Sequence, residues 1–126
     1  MTAVLDASAL LALLWREPGH DIAATYIPGA IVSTVNLSEV YAKCADRGLD
    51  LDTVRGLLTG LQLTIVDFDS HQAFVAGDLR SRTRKAGLSL GDRACLAAAS
   101  VHKAQAVTAD RAWTALGLSL TITVIR

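Results

Sequence analysis

Short apolar runs rich in β-branched residues alternate along the chain with longer helical patterns, and this alternation constrains the fold more than any other feature. Runs at residues 2–5, 30–33, 63–66, 106–108 and 120–125 have the length and composition of strands. Between them, helical patterns cover residues 9–16, 21–26, 37–47, 53–61, 72–85 and 90–103, punctuated by Pro18-Gly19, Pro28-Gly29, Gly48 and Gly87. Strand and helix in alternation imply βαβ units around a parallel sheet. The expected fold is α/β, a three-layer α/β/α sandwich with a central parallel sheet of about five strands.

At 126 residues the chain suits a single domain spanning 1–126, and 52% hydrophobic residues suffice for a real core. No repeat, low-complexity tract or linker divides it. Twelve Lys and Arg balance twelve Asp and Glu, so any polyanion must be bound by a local patch and not by a global field. The apolar runs fall short of the roughly 20 residues that a membrane-spanning helix needs, which predicts no membrane association. The opening MTAVLDAS lacks a basic segment and is broken by Asp6, so no secretory signal and a cytoplasmic location are expected. Cys44 and Cys95 sit in alanine-rich helical patterns without CxxC spacing and are read as reduced core thiols.

Four carboxylates recur at corresponding places. Asp6 ends the first strand, Glu39 lies in the first turn after the second, Asp92 opens an apolar helix in LSLGDRACLAAAS, and Asp110 follows the fourth strand. Singly, each has an explanation as a helix cap. Asp6 and Asp110 suit N-caps, while Asn36-Leu37-Ser38-Glu39 and Ser89-Leu90-Gly91-Asp92 suit capping boxes or acids favoured by a helix dipole. Together they mean more, because a parallel sheet gathers strand C-termini and helix N-termini along one edge. Clustered carboxylates repel unless a cation compensates, and oxygen-only ligands suit Mg2+ or Mn2+. None of His20, His71 and His102 adjoins these acids, and all three are read as surface or helix residues.

The segments VLDAS, SEV, SLGDRACLA and TAD, in this order and spacing, resemble the PIN-domain nucleases, specifically the short VapC-type toxins of bacterial toxin–antitoxin pairs. The likeness covers nearly the whole chain. It implies that Asp6, Glu39, Asp92 and Asp110 form a catalytic quartet of metal-binding acids, with Ser8 and Thr108 as supporting polar neighbours. It further implies an endoribonuclease in which Mg2+ or Mn2+ polarises a phosphodiester and activates water. The expected partners are an RNA substrate, a cognate small antitoxin protein and a second copy of the chain. The apolar segment 9–16, ending near Trp15, is expected to wall the antitoxin groove.

Arg80, Arg82, Arg84, Lys85 and Arg93 form the densest basic group, either contacting RNA phosphates or merely solvating a helix end. Trp15, Tyr26, Tyr41 and Trp113 are read as packing residues rather than base-stacking platforms. Asp67 and Asp69 follow the third strand, which the resemblance places at the sheet edge away from the site, and Asp69 is read as an N-cap. Phosphotransfer and haloacid-dehalogenase-like readings fit poorly: VTAD offers no Lys after the late strand, and Asp6-Ala7-Ser8 lacks a second Asp. The remaining alternative is a catalytically silent PIN-like module that binds RNA or protein.

Overall fold

The computed structural model describes residues 1–126. Its strands are β1 (Ala3–Leu5), β2 (Ile31–Ser33), β3 (Thr64–Val66), β4 (Gln105–Thr108) and β5 (Ile122–Val124). Its α-helices are α1 (Ala7–Trp15), α2 (His20–Thr25), α3 (Thr34–Asp46), α4 (Leu51–Gly60), α5 (Ser70–Arg82) and α6 (Leu90–Val101). Each apolar run read from the sequence coincides with a strand, β4 beginning one residue before its run, at Gln105. All strands pair in parallel in the order β3-β2-β1-β4-β5, with Val4 of β1 opposite both Ile31 and Ala106. The strand order reverses at β1, so a crevice opens beyond the carboxyl ends of β1 and β4.

The period of two along each strand divides the core between the sheet's faces. Leu5, Val32 and Val107 join a cluster of 17 buried residues with α1, α3 and α4, whereas Val4, Ile31 and Ala106 join a second cluster of 11 with α5, α6 and Trp113. The result is the expected three-layer α/β/α sandwich. α6 packs against the sheet, α3 and α5, and Ala94 through Ala99 are fully buried. Its small side chains let those neighbours approach closely. Cys44 and Cys95 are free thiols buried in different clusters. Trp113 is fully buried, while Trp15, Tyr26 and Tyr41 pack half-buried on the larger cluster. No helix is long and apolar enough to cross a membrane.

Several element ends differ from the sequence reading, each for a local reason. α3 begins at Thr34 and not at residue 37, because Ser33 at the end of β2 caps the helix directly, accepting from Val35 N at 3.3 Å. Glu39 therefore lies in the second turn, and the capping box expected at Asn36 to Glu39 does not form. α5 stops at Arg82, where Thr83 turns its hydroxyl onto Leu79 O at 2.7 Å and the chain tightens into a 3-10 helix, Arg84–Ala86. A second 3-10 helix, Arg111–Ala115, was not anticipated. β5 is confined to Ile122–Val124 within the apolar run at 120–125.

Candidate active site

Asp6 leaves β1 with extended backbone and caps α1. Its Oδ1 accepts from Ala9 N at 2.9 Å and from Ser8 Oγ at 2.7 Å, and its Oδ2 accepts from Thr108 Oγ1 at 2.6 Å. Both hydroxyls are themselves fixed. Ser8 Oγ accepts from Ala109 N at 2.9 Å, and Thr108 Oγ1 accepts from Asp110 N at 3.1 Å. A polar network thus closes the end of β1 onto the end of β4 at the switch point. Ser8 and Thr108 orient the Asp6 carboxylate, and with Ala9 N they leave one of its four acceptor sites unused.

Burial is the dominant influence on Asp6. It raises the pKa from 3.8 to about 6 against the opposing hydrogen bonds from Thr108, Ala9 and Ser8, and the negative charge of Asp92 adds to the rise. Burial likewise pushes Glu39 up, Asn36 and Lys43 oppose the shift, and Asp92 again contributes to it. The Cys95 thiol lies well above its ordinary range, first through burial and then through the charges of Asp6, Asp92 and Glu39. Three of the four acids therefore share one electrostatic neighbourhood around the start of α6. Asp110 is exposed on the β4 side, and what it contributes to the network is its backbone N–H, bonded to Thr108 Oγ1.

Asp92 and Ser89 form a reciprocal capping box at the start of α6: Ser89 Oγ accepts from Asp92 N at 3.1 Å and Asp92 Oδ2 accepts from Ser89 N at 3.0 Å. Asp110 caps the 3-10 helix, its Oδ1 accepting from Ala112 N at 2.9 Å. Glu39 is half-buried, and its Oε1 accepts from Asn36 Nδ2 at 3.1 Å. Capping and site membership are compatible, because Glu39, Asp92 and Asp110 each spend only one carboxylate oxygen on the protein. No three His, Cys, Asp or Glu side chains converge closely enough to enclose an ion on their own.

Sequence reasoning passed over Asn36 and Gly91 as site residues. Asn36 was visible as an amide three positions before Glu39, and Gly91 as an isolated glycine inside a helical pattern, which marks either a weak point or a close approach. The basic group read from the sequence is divided. Arg82 pairs with Asp78 at 2.9 Å, and it lines a surface cleft with Arg84, Lys85, Ala115 and Leu116, while Arg80 is exposed on α5. Arg93 faces α5, its Nη1 donating to Ala76 O at 3.1 Å. Arg47 stacks on Trp15 with 3.4 Å between its guanidinium carbon and the ring centroid, and an open apolar groove lies between α3, α4 and β3, lined by Leu37, Tyr41, Leu58, Leu63 and Ile65. β3 is an edge strand, and Asp69 behind it caps α5 by accepting from Gln72 N at 2.9 Å.

The sequence model of the PIN domain matches residues 3–117. The chain belongs to the PIN-domain family. Solved PIN-like structures resemble it along most of its length. A chain of the DNA-bound VapBC complex from Salmonella typhimurium superposes with a TM-score of 0.75 at 16% identity, covering 100% of this chain and 99% of its own. The VapC20 toxin of Mycobacterium tuberculosis, described as cleaving the Sarcin-Ricin loop, gives 0.73 at 18% identity, covering 92% of this chain and 95% of its own. A toxin–antitoxin complex from Klebsiella pneumoniae gives 0.70 at 22% identity, with 86% of each chain covered. Among curated proteins, none matches the sequence. This PIN domain places Asp6 and Thr108 at the sheet's switch point and Glu39 and Asp92 on the two helices that flank it.

Proposed function

We propose that this PIN-domain protein is a metal-dependent endoribonuclease and the toxin of a toxin–antitoxin pair. The observation that carries the reading is the Asp6 carboxylate: buried at the switch point, raised to about 6, and within the field of a second acid, Asp92. A fold gains nothing from burying a carboxylate in the field of another acid unless a positive charge relieves it. The residues fit a hard divalent cation in two respects. Their donors are all oxygens, and each acid retains a carboxylate lone pair free of protein partners. Their looseness is also in keeping with Mg2+, which keeps several waters and is commonly held by one or two carboxylates together with substrate phosphates.

Asp6, Glu39, Asp92 and Asp110 would hold Mg2+ or Mn2+. The bound ion would supply Lewis-acid polarisation of the scissile phosphodiester and activation of water. The chain's own contribution is orientation. Ser8 and Thr108 fix the Asp6 carboxylate, the Ser89 capping box fixes Asp92, and Asn36 fixes Glu39, so little reorganisation is needed when substrate arrives. Arg80, Arg82, Arg84 and Lys85 lie on a solvent-facing segment and would contact RNA phosphates, whereas Arg93 would act on RNA only after leaving Ala76. Single-stranded or loop RNA is the accessible substrate, because its backbone is free to enter the crevice. The segment 9–16 does not wall the apolar groove, because Ala9, Leu10, Leu11 and Ala12 are buried in the core; a small antitoxin would instead cover the groove of Leu37, Tyr41 and Leu58, and the exposed edge strand beside it offers a face for a second copy of the chain.

Incubation of the protein with RNA and Mg2+, followed by sequencing of the cleavage ends, tests the activity. Defined ends that vanish in excess chelator support it, and undiminished cleavage in chelator overturns it. Replacing Arg80, Arg82, Arg84 and Lys85 together by Ala should flatten the salt dependence of RNA binding, and an unchanged slope removes their role. That no three of the acids converge on one point favours a second reading, a catalytically silent PIN-like module that binds RNA or protein. RNA binding with no cleavage under any divalent ion would support that alternative.

A further inference from the structure

We propose that Gly91 and Asn36 are positioning residues that fix the Glu39 carboxylate between α3 and α6; the inference rests on the metal-dependent reading above. Gly91 is the second residue of α6 and is buried. It is absent from the positive-φ glycines, so its backbone does not require glycine. In a helix, glycine is less favourable than alanine. Its role here is spatial: a β-carbon at position 91 would overlap Glu39 Oε1 and lie 2.6 Å from Glu39 Cδ. Glu39 occupies the space that every other residue type would fill.

Asn36 completes the arrangement. It is 1% exposed, and its Nδ2 spends both hydrogens, one on Gly91 O at 3.0 Å and one on Glu39 Oε1 at 3.1 Å. These two acceptors define the amide's orientation, since the flipped amide would set oxygen against oxygen. One side chain thereby ties the backbone of α6 to the carboxylate of α3. The remaining Asn36 Oδ1 is buried without a protein partner, so the amide is held by its two donated bonds alone.

The contact also distinguishes positioning from packing. The atoms that a β-carbon would meet belong to the far end of a flexible side chain, so Gly91→Ala should displace the carboxylate and spare the fold. Calorimetric titration of the metal-free protein with Mn2+ alone, together with its melting temperature, provides the test. Gly91→Ala should weaken Mn2+ binding by about tenfold, as loss of an orienting contact does, while the melting temperature of the metal-free protein holds or rises. In a Glu39→Ala background, the same substitution should leave Mn2+ affinity unchanged. Asn36→Ala should weaken binding in the wild type and have no effect on it in Glu39→Ala.

Normal Mn2+ affinity in both Gly91→Ala and Asn36→Ala overturns the inference alone. So does a Gly91→Ala protein that melts lower, or fails to fold, equally with and without Glu39, since the glycine would then serve helix packing only. A wild type that binds no Mn2+ overturns the metal-dependent reading as well, so the two failures are distinguishable.

Discussion

Asp6 and Asp69 are locally almost the same residue. Each follows a parallel strand, each has extended backbone (φ −81°, ψ 176° and φ −86°, ψ −178°), and each accepts a 2.9 Å bond from the backbone N–H three residues on. They differ in the strand they follow. β1 is central and is paired on both sides, so Asp6 is buried and meets Thr108 from β4 and the charge of Asp92 from α6. β3 is an edge, so Asp69 stays exposed and caps a helix. The cap itself says nothing about function; the number of neighbouring strands decides whether a capping acid can also enter a site.

The largest break in the comparison should be catalytic. With RNA and Mg2+, Asp6→Asn should abolish cleavage and Asp69→Asn should leave it intact, as initial rates will show. The pH dependence of stability should separate the pair next. The folded pKa of Asp6, about 6, exceeds the unfolded 3.8, so the native state binds the extra proton between them. Stability is therefore fullest below pH 3.8 as far as this group is concerned and is lost as pH rises through 6. The loss amounts to about 3 kcal/mol in the metal-free protein. Urea unfolding from pH 4 to 7.5 should show that fall in the wild type and in Asp69→Asn, and a much flatter profile in Asp6→Asn.

Metal should restore what the carboxylates lose. A hundredfold excess of Mg2+ or Mn2+ over its dissociation constant should stabilise the wild type by about 2.7 kcal/mol and Asp92→Asn far less, while the metal-free melting temperature of Asp92→Asn holds or rises. Destabilisation of metal-free Asp92→Asn by about 1 kcal/mol, with metal stabilisation and cleavage intact, would mean that Asp92 is a cap only. The smallest effect belongs to the edge. Asp69→Ala should cost about 1 kcal/mol through loss of its cap, with equal values in the presence and absence of metal.

The sheet was legible in the sequence because β1, β2 and β4 are buried on both faces and read as compact apolar runs, and because Pro and Gly mark the breaks. The start of α3 was not, since Ser33-Thr34-Val35 runs from strand into helix without a loop, and two β-branched residues disguise the first turn. The 3-10 helix after Asp110 is too short to show a period. For the site, the order of the acids was readable, and the family resemblance implied the neighbouring hydroxyls of Ser8 and Thr108 and the edge position of Asp69. The clamp on Glu39 was not, because it depends on α3 meeting α6 at residues 55 positions apart. The basic group was misleading as a unit: proximity in sequence says little about which way Arg93 turns once α5 packs beside it.

The bond between Thr108 and Asp6 has a consequence for synthesis. It joins residues 102 positions apart, so on the ribosome, where chains grow at about 5–20 residues per second, Asp6 emerges seconds before its partner exists. For most of that interval β1 has β2 to pair with but lacks β4, and the crevice between the ends of β1 and β4 has only one wall. A nascent chain therefore carries the first acid of the site without the site itself, and the crevice is finished only once β4 has emerged.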